Sequence, residues 1–180
     1  LVELLTPLSF LVLFSHYPLD IFFFVSCLFA SAMIVLAFID LHHQILPDEI
    51  TLPGIFLALI YSAFRPDLSL KQALFGAVAG AVFLLFIYVV YLLLRKKEGL
   101  GMGDVTMLLF IGAFLGLKLT ILTLMAASFS GALVGAVLIF SRKEDLQYAL
   151  PFGTFLAPAA FFSLVWGNQI INWYLNLFRT

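Results

Sequence analysis

The sequence predicts an all-α fold: a polytopic membrane helical bundle of about seven helices, one transmembrane domain over residues 1–180. Three observations carry this reading. Hydrophobic residues make up 64% of the chain and charged residues 11%, against roughly 45–50% and about 25% in soluble domains. The apolar residues, 21 Phe among them, fall in long blocks of the kind that cross a bilayer. The polar residues gather in short clusters between the blocks.

Taken in order, the first apolar segment is Val2–Ser15, short and with Glu3 near its start, where a snorkelling or packed polar role would fit. The second is Leu19–Ile39 and holds the sole cysteine, Cys27, which can form neither an intrachain disulfide nor a CxxC metal site. The third is Ile50–Phe64, behind a turn in which Pro47 breaks the preceding helix and Asp48 or Glu49 starts the next. The fourth is Leu70–Leu94, the fifth Val105–Leu117, the sixth Leu119–Phe140 and the seventh Thr154–Phe178. A full span needs about 20 residues. Segments one, three and five therefore need their flanks, less tilt, or a thin part of the protein.

Seven crossings sort the polar clusters into two sets. One holds residues 16–20, 65–71, Lys118 and the C-terminal end; the other holds residues 40–49, 95–104 and 141–153. The second set carries Arg95, Lys96, Lys97, Arg142 and Lys143, against Arg65, Lys71, Lys118 and Arg179 in the first. Five against four, with the five clustered just after long helices, places the second set in the cytoplasm by the positive-inside rule. Net charge is −1, which argues against a nucleic-acid partner; membrane lipid is the expected surrounding. No signal-peptide pattern opens the chain at Leu1.

The chemically interesting residues all lie in the second set. Asp40 ends the second segment and Asp104 opens the fifth. Ionisable residues at membrane depth are costly and mark function. Two carboxylates held together in a partly desolvated site cannot both ionise easily, so one keeps its proton. Such a pair can activate water and protonate a leaving amine. A helix N-terminus favours the ionised form of Asp104, while Asp40 meets the opposite helix end, so the helix ends alone make Asp104 the more acidic of the two. Gly99, Gly101 and Gly103 clear Cβ atoms from the approach to Asp104, as an extended peptide backbone needs. Read singly, Asp104 is also a fair N-cap and Asp40 a plain interfacial helix end. Asp48 reads better as a helix cap than as a catalyst. His42 and His43 lack further ligands at metal spacing. Asp20, Asp67, Glu144 and Asp145 read as solvated loop charges.

The stretch "FIDLHHQILPDEITLPG", followed after a long helix by "GLGMGDVTMLLFIGAFLG", resembles the type IV prepilin peptidases, which are GxGD membrane aspartic proteases of type 4 pili and type II secretion. "PFGTFLAPAA" at 151–160 is similar to the family's late "PFGPFLA"-type element. The resemblance implies Asp40 and Asp104 as the catalytic pair. It matches Gly101 and Gly103 to the glycines of GxGD, and puts Asp48, Glu49, Pro151 and Gly153 among the substrate-binding candidates. Some family members carry Asn at the position of Asp48, which favours Asp40. The implied substrate is the signal-peptide segment of a type IV prepilin or pseudopilin, cut on the cytoplasmic side of the bacterial inner membrane. No metal or other cofactor is expected for proteolysis, and S-adenosylmethionine only if methylation is retained.

Three departures stand out. The family's four-cysteine domain does not precede Leu1, which implies a fragment or a shortened member and puts methylation in question. Thr106 stands where the family often has Lys. Thr154 stands in place of the second Pro of "PFGP", a change expected to be minor. Glu98, Glu144 and Asp145, with Asp48 and Glu49, are better contacts for a basic leader than the Arg95–Lys97 run. Two other classes compete: a small transporter, which would place its acids inside helices near the midplane, and a structural subunit, which has no need for Asp40 and Asp104 to converge.

Overall fold

Each of the seven apolar segments forms one α-helix in the structure, a computed structural model that describes residues 1–95, 101–142 and 151–177. The helices are α1 (Val2–His16), α2 (Ile21–His43), α3 (Asp48–Ser62), α4 (Leu70–Arg95), α5 (Met102–Leu115), α6 (Leu117–Arg142) and α7 (Gly153–Leu177). The described residues form no strand. Lys96, Lys97, Glu98, Lys143, Glu144, Asp145 and Arg179, which entered the charge count or the leader-contact reading, and Gly99, one of the three glycines before Asp104, lie outside the described residues.

Four helices, α2, α4, α6 and α7, are long and apolar enough to cross a membrane. The other three are short, and α5 shows how a short apolar helix is accommodated. Val105, Met107, Leu108, Phe110, Ile111 and Phe114 are all buried along it. It packs chiefly on α4 and α3, while α2 and α6 pack on α7. Phe114 stacks on Phe29 of α2 with ring centroids 4.3 Å apart. The outward faces of α4 and α6 carry large apolar residues instead, such as Phe75, Phe86, Leu93 and Phe129, as a lipid-facing surface requires.

The closest helix pair meets backbone to backbone. A Cβ built on Gly112 of α5 would lie 2.5 Å from the carbonyl oxygen of Gly76 on α4, and one on Gly76 would lie 2.6 Å from the backbone at Gly116 and Leu117. Small residues at such a contact let two helices gain van der Waals packing that lipid cannot supply.

Helix ends differ from the apolar blocks by a few residues, and the shift matters. α2 runs on past Ile39 to His43 and is closed by Gln44 in the left-handed region, φ 54°, whose N–H donates to the Asp40 carbonyl. Asp40 thus sits inside the last turn of α2, and Asp104 inside the first turn of α5.

At the other end of the bundle, Arg65 ties the turns together. Its guanidinium donates from Nη1 to the Phe114 carbonyl at 2.9 Å and from Nε to Asp67 at 2.9 Å. It also lies 4.7 Å from the centre of the Phe22 ring. Asp67 is therefore paired, although its side chain is 62% exposed; the Arg65 guanidinium holds its carboxyl below the usual range. Asp20 is likewise no idle charge: its Oδ1 caps α2 by accepting the Phe23 N–H at 3.0 Å.

Candidate active site

Asp40 and Asp104 are 64 positions apart in sequence and both are buried, each 5% exposed. They come from antiparallel placements, one in the last turn of α2 and one in the first turn of α5. The charge of Asp40 acts directly on Asp104, and so does the backbone N–H of Gly153, the first residue of α7. A Cβ on Gly153 would lie 2.9 Å from Asp40 Oδ2. Three helix ends thus meet around the two carboxyls.

Leu46 closes the group from the α2–α3 turn. Its side chain fills the space that a Cβ on Gly103 would need, 2.8 Å away, and its Cδ1 is 3.0 Å from the Cβ position of Gly153. Glycine at 103 and 153 is what allows the turn, α5 and α7 to come this close.

The two carboxyls are held differently. Asp104 is not the N-cap of α5: Gly101 is, and Asp104 is the third helical residue, reaching back so that its Oδ2 accepts the Gly101 N–H at 3.1 Å. That is the carboxylate half of a capping box. Its Oδ1 is buried and has no hydrogen-bond partner among the described residues. Asp40 Oδ2 accepts two bonds from Thr154 of α7, one from the backbone N–H at 2.7 Å and one from Oγ1 at 3.0 Å. Two donors thus converge on one oxygen of Asp40 while one oxygen of Asp104 receives none, an asymmetry that the helix ends alone do not suggest.

Asp48 also departs from the cap reading. Pro47 occupies the N-cap position of α3, with Asp48 as the first helical residue. Its Oδ1 is 3.5 Å from Oγ1 of Thr106 and of Thr51, at the edge of hydrogen-bond range. Asp48 and Glu49 are exposed, as is Gly101, while Pro151 is half-buried. Thr106 spends its hydroxyl on the Gly103 carbonyl at 2.9 Å. Among the described residues, no three of His, Cys, Asp and Glu converge into a metal-binding group; His42 is exposed and bonds to the Phe38 carbonyl.

Next to Asp40 lies a cavity of about 310 Å³ between α1, α2 and α7. Leu8, Val12, Met33, Ala37, Ala157 and Phe161 give it an apolar lining, and Thr154 stands at its edge.

A family model described as the type IV leader peptidase family matches residues 27–136, well over half of the chain and including Asp40, Asp48, Gly101, Gly103 and Asp104. The chain belongs to the type IV leader peptidase family. Curated relatives named "Prepilin leader peptidase/N-methyltransferase" agree. The Stutzerimonas stutzeri protein is 38% identical over 147 residues, covering 82% of this chain and 51% of that relative. The Aeromonas salmonicida (strain A449) protein is 36% identical over 176 residues, covering 98% and 60%. The Xanthomonas campestris pv. campestris protein is 33% identical, covering 98% and 61%. The chain thus spans half to three fifths of the length of these relatives. No solved structure matches it.

Sequence reasoning missed Leu46 and named Thr154 only as a minor departure, whereas Thr154 bonds Asp40 twice. Its place two residues into a helix, where N–H groups lack intrahelical partners, was the available signal. Nothing in the sequence near Leu46 marks it as the residue that two glycines accommodate.

Proposed function

We propose that this chain is an aspartic endopeptidase domain, residues 1–180, that removes the basic leader from type IV prepilins or pseudopilins. The observation that carries the reading is the convergence of two buried carboxyls, Asp40 and Asp104, at the ends of helices from distant parts of the chain. Family membership supports a peptidase; the aspartic mechanism rests on the geometry.

In this mechanism Asp40 is the base. Its carboxylate, held by Thr154, takes a proton from water as the water oxygen attacks the scissile carbonyl carbon. Asp104 enters protonated on Oδ1, the oxygen without a partner, and gives that proton to the carbonyl oxygen. The resulting gem-diol collapses: the C–N bond breaks, Asp40 returns its proton to the leaving nitrogen, and a diol hydroxyl returns one to Asp104. No covalent intermediate forms, and both residues end as they began.

Gly101, exposed beside Asp104, leaves room for the substrate backbone and Pro151 borders the Asp40 side, whereas Gly103 and Gly153 serve the site by admitting Leu46 beside the two carboxyls. Asp48 and Glu49, exposed at the start of α3, supply negative charge for a basic leader. The apolar cavity beside Thr154 suits an apolar side chain of the substrate next to the cut. The carboxyl end of the bundle faces the cytoplasm in this reading, in a bacterial inner membrane, with lipid around the outer faces of α4 and α6.

Methyl transfer belongs to the names of the relatives. The cavity, with its apolar lining, does not fit a charged, zwitterionic donor such as S-adenosylmethionine, and no methylation step is derived from it.

The test is cleavage of a prepilin in lipid by the wild type and by Asp40→Asn, Asp104→Asn and Asp48→Asn. Loss in the first two with activity kept in the third is the expected result. Equal cleavage in all four would overturn the dyad, and no cleavage by any of them, the wild type included, would favour a transporter or structural subunit. Loss confined to Asp48→Asn and Asp104→Asn would keep the peptidase and move the base into the α2–α3 turn.

A further inference from the structure

We infer that Thr154 is a positioning residue that holds Asp40 as the base, acting through both of its donors. The inference rests on the dyad reading above. Three observations lead to it.

The two bonds converge on one oxygen. Thr154 N and Oγ1 reach Asp40 Oδ2 at 2.7 and 3.0 Å, from a residue 114 positions away. The hydroxyl has another acceptor within reach, the Ala37 carbonyl at 3.4 Å, but the Asp40 contact is the shorter. A carboxylate accepts both bonds with no rearrangement, whereas a proton on Oδ2 would compete with both donors.

The backbone donor costs the helix nothing. Thr154 is the second residue of α7, and the first N–H groups of a helix have no acceptor within it. The α7 N-terminus, with its partial positive charge, is thereby turned onto Asp40. Asp104 meets the N-terminus of its own helix but spends Oδ2 on the Gly101 N–H, leaving Oδ1 bare. The two carboxyls are thus held unequally: Asp40 takes two donors from Thr154 of α7, and Asp104 takes the Gly101 N–H of its own helix.

Among the residues whose side chains are described, no Lys or Arg bonds to Asp40. The titratable groups carried near this end by elements packed on α2 are Asp104 on α5, Asp48 and Glu49 on α3, and Glu3 on α1. His42 and His43 lie on α2 itself, both exposed, and α7 has no titratable side chain before Tyr174. Among these, Thr154 is the group that donates to Asp40 Oδ2.

The identity of residue 154 therefore sets how much help Asp40 receives. Serine keeps both donors. Valine keeps the shape and the N–H but loses the hydroxyl. Proline, which occupies this place in the motif "PFGP", keeps neither, and it is tolerated early in a helix because no helical bond is lost. The Thr-for-Pro difference is accordingly a change in the site and not a neutral one.

The test measures kcat, KM and the pH–rate profile on a synthetic prepilin peptide for Thr154→Ser, Thr154→Val and Thr154→Pro, with Asp40→Asn alongside. Thr154→Ser keeps the wild-type profile. Thr154→Val lowers kcat about tenfold with KM held, and moves the acidic limb of the profile to higher pH; Thr154→Pro moves it further. Thr154→Val and Thr154→Ser melt like the wild type, so a misfolded proline variant would not decide the matter. An unchanged limb and kcat in Thr154→Val, with Asp40→Asn inactive, overturns the role of Thr154 and leaves the dyad standing. Full activity in Asp40→Asn overturns the dyad and this inference with it.

Discussion

The Cβ of Leu46 stands so close to Gly103 that a methyl group added there would lie 2.8 Å from it. A Cβ is not the free end of a side chain, so relief has to come from the backbone of the α2–α3 turn or of α5. Either movement displaces Asp104, one residue on.

Substitution of the glycines should therefore follow a graded order. Gly103→Ala should lower kcat/KM by about tenfold or more. Gly101→Ala, whose new methyl would stand 3.3 Å from Asp104 Oδ2, should cost only a few-fold. Gly131→Ala meets Phe155 at an ordinary 3.6 Å and should leave cleavage unchanged. Steady-state cleavage with a melting curve for each variant checks the order; equal rates in Gly103→Ala and Gly131→Ala would contradict it.

The α4–α5 contact should respond through stability. Gly112→Ala places a methyl 2.5–2.6 Å from the backbone of Gly76 and Ala77, which only separation of the two helices can relieve. Overpacking of this kind costs about 1–3 kcal/mol. Thermal unfolding in detergent should fall clearly for Gly112→Ala and for Gly76→Ala, and hardly at all for Gly131→Ala.

Arg65 and Asp67 form one contact but should behave unequally. Arg65 also binds the Phe114 carbonyl and lies over Phe22, so Arg65→Ala should cost about 2 kcal/mol. Asp67 is largely exposed, and Asp67→Asn should cost about 1 kcal/mol at most. Because pairing lowers the Asp67 value on folding, its contribution is complete above the usual carboxylate range and is lost as pH falls through the lowered value. Melting temperatures from neutral to acid pH should show this loss in the wild type and a smaller one in Asp67→Asn.

The cavity gives a separate handle on the substrate. Ala157→Phe would direct a ring into space bordered by Met33, Ala37 and Phe161. If an apolar substrate side chain enters there, KM rises several-fold while kcat stays within about twofold, and the melting temperature holds or rises. An unchanged KM would take the cavity off the path of the substrate.

Much of this was legible in the sequence, for identifiable reasons. Long apolar blocks allow one secondary structure in lipid, so seven segments became seven helices. Asp40 and Asp104 stood out because charge is rare in this chain. What sequence could not supply was side-chain partnership across distance. Nothing local says that Thr154 turns to Asp40, that Asp104 bonds Gly101, or that Arg65, counted as a loop charge, lies against the rings of the core. Helix ends were legible only to within a few residues, because the last turn of α2 and the first of α5 are polar and yet helical.

The shortness of α5 has a consequence for how the protein is made. Its 14 residues extend about 21 Å, less than the roughly 30 Å of a hydrocarbon core, and its side chains are covered by other helices instead of lipid. Left alone at the moment of synthesis it has no stable berth. α3 and α4, the helices that receive it, leave the ribosome before it; α7, which brings Thr154 to Asp40, leaves after it. The bundle is thus assembled around a helix that depends on its predecessors for shelter, and its two carboxyls acquire their final company only once α7 has followed.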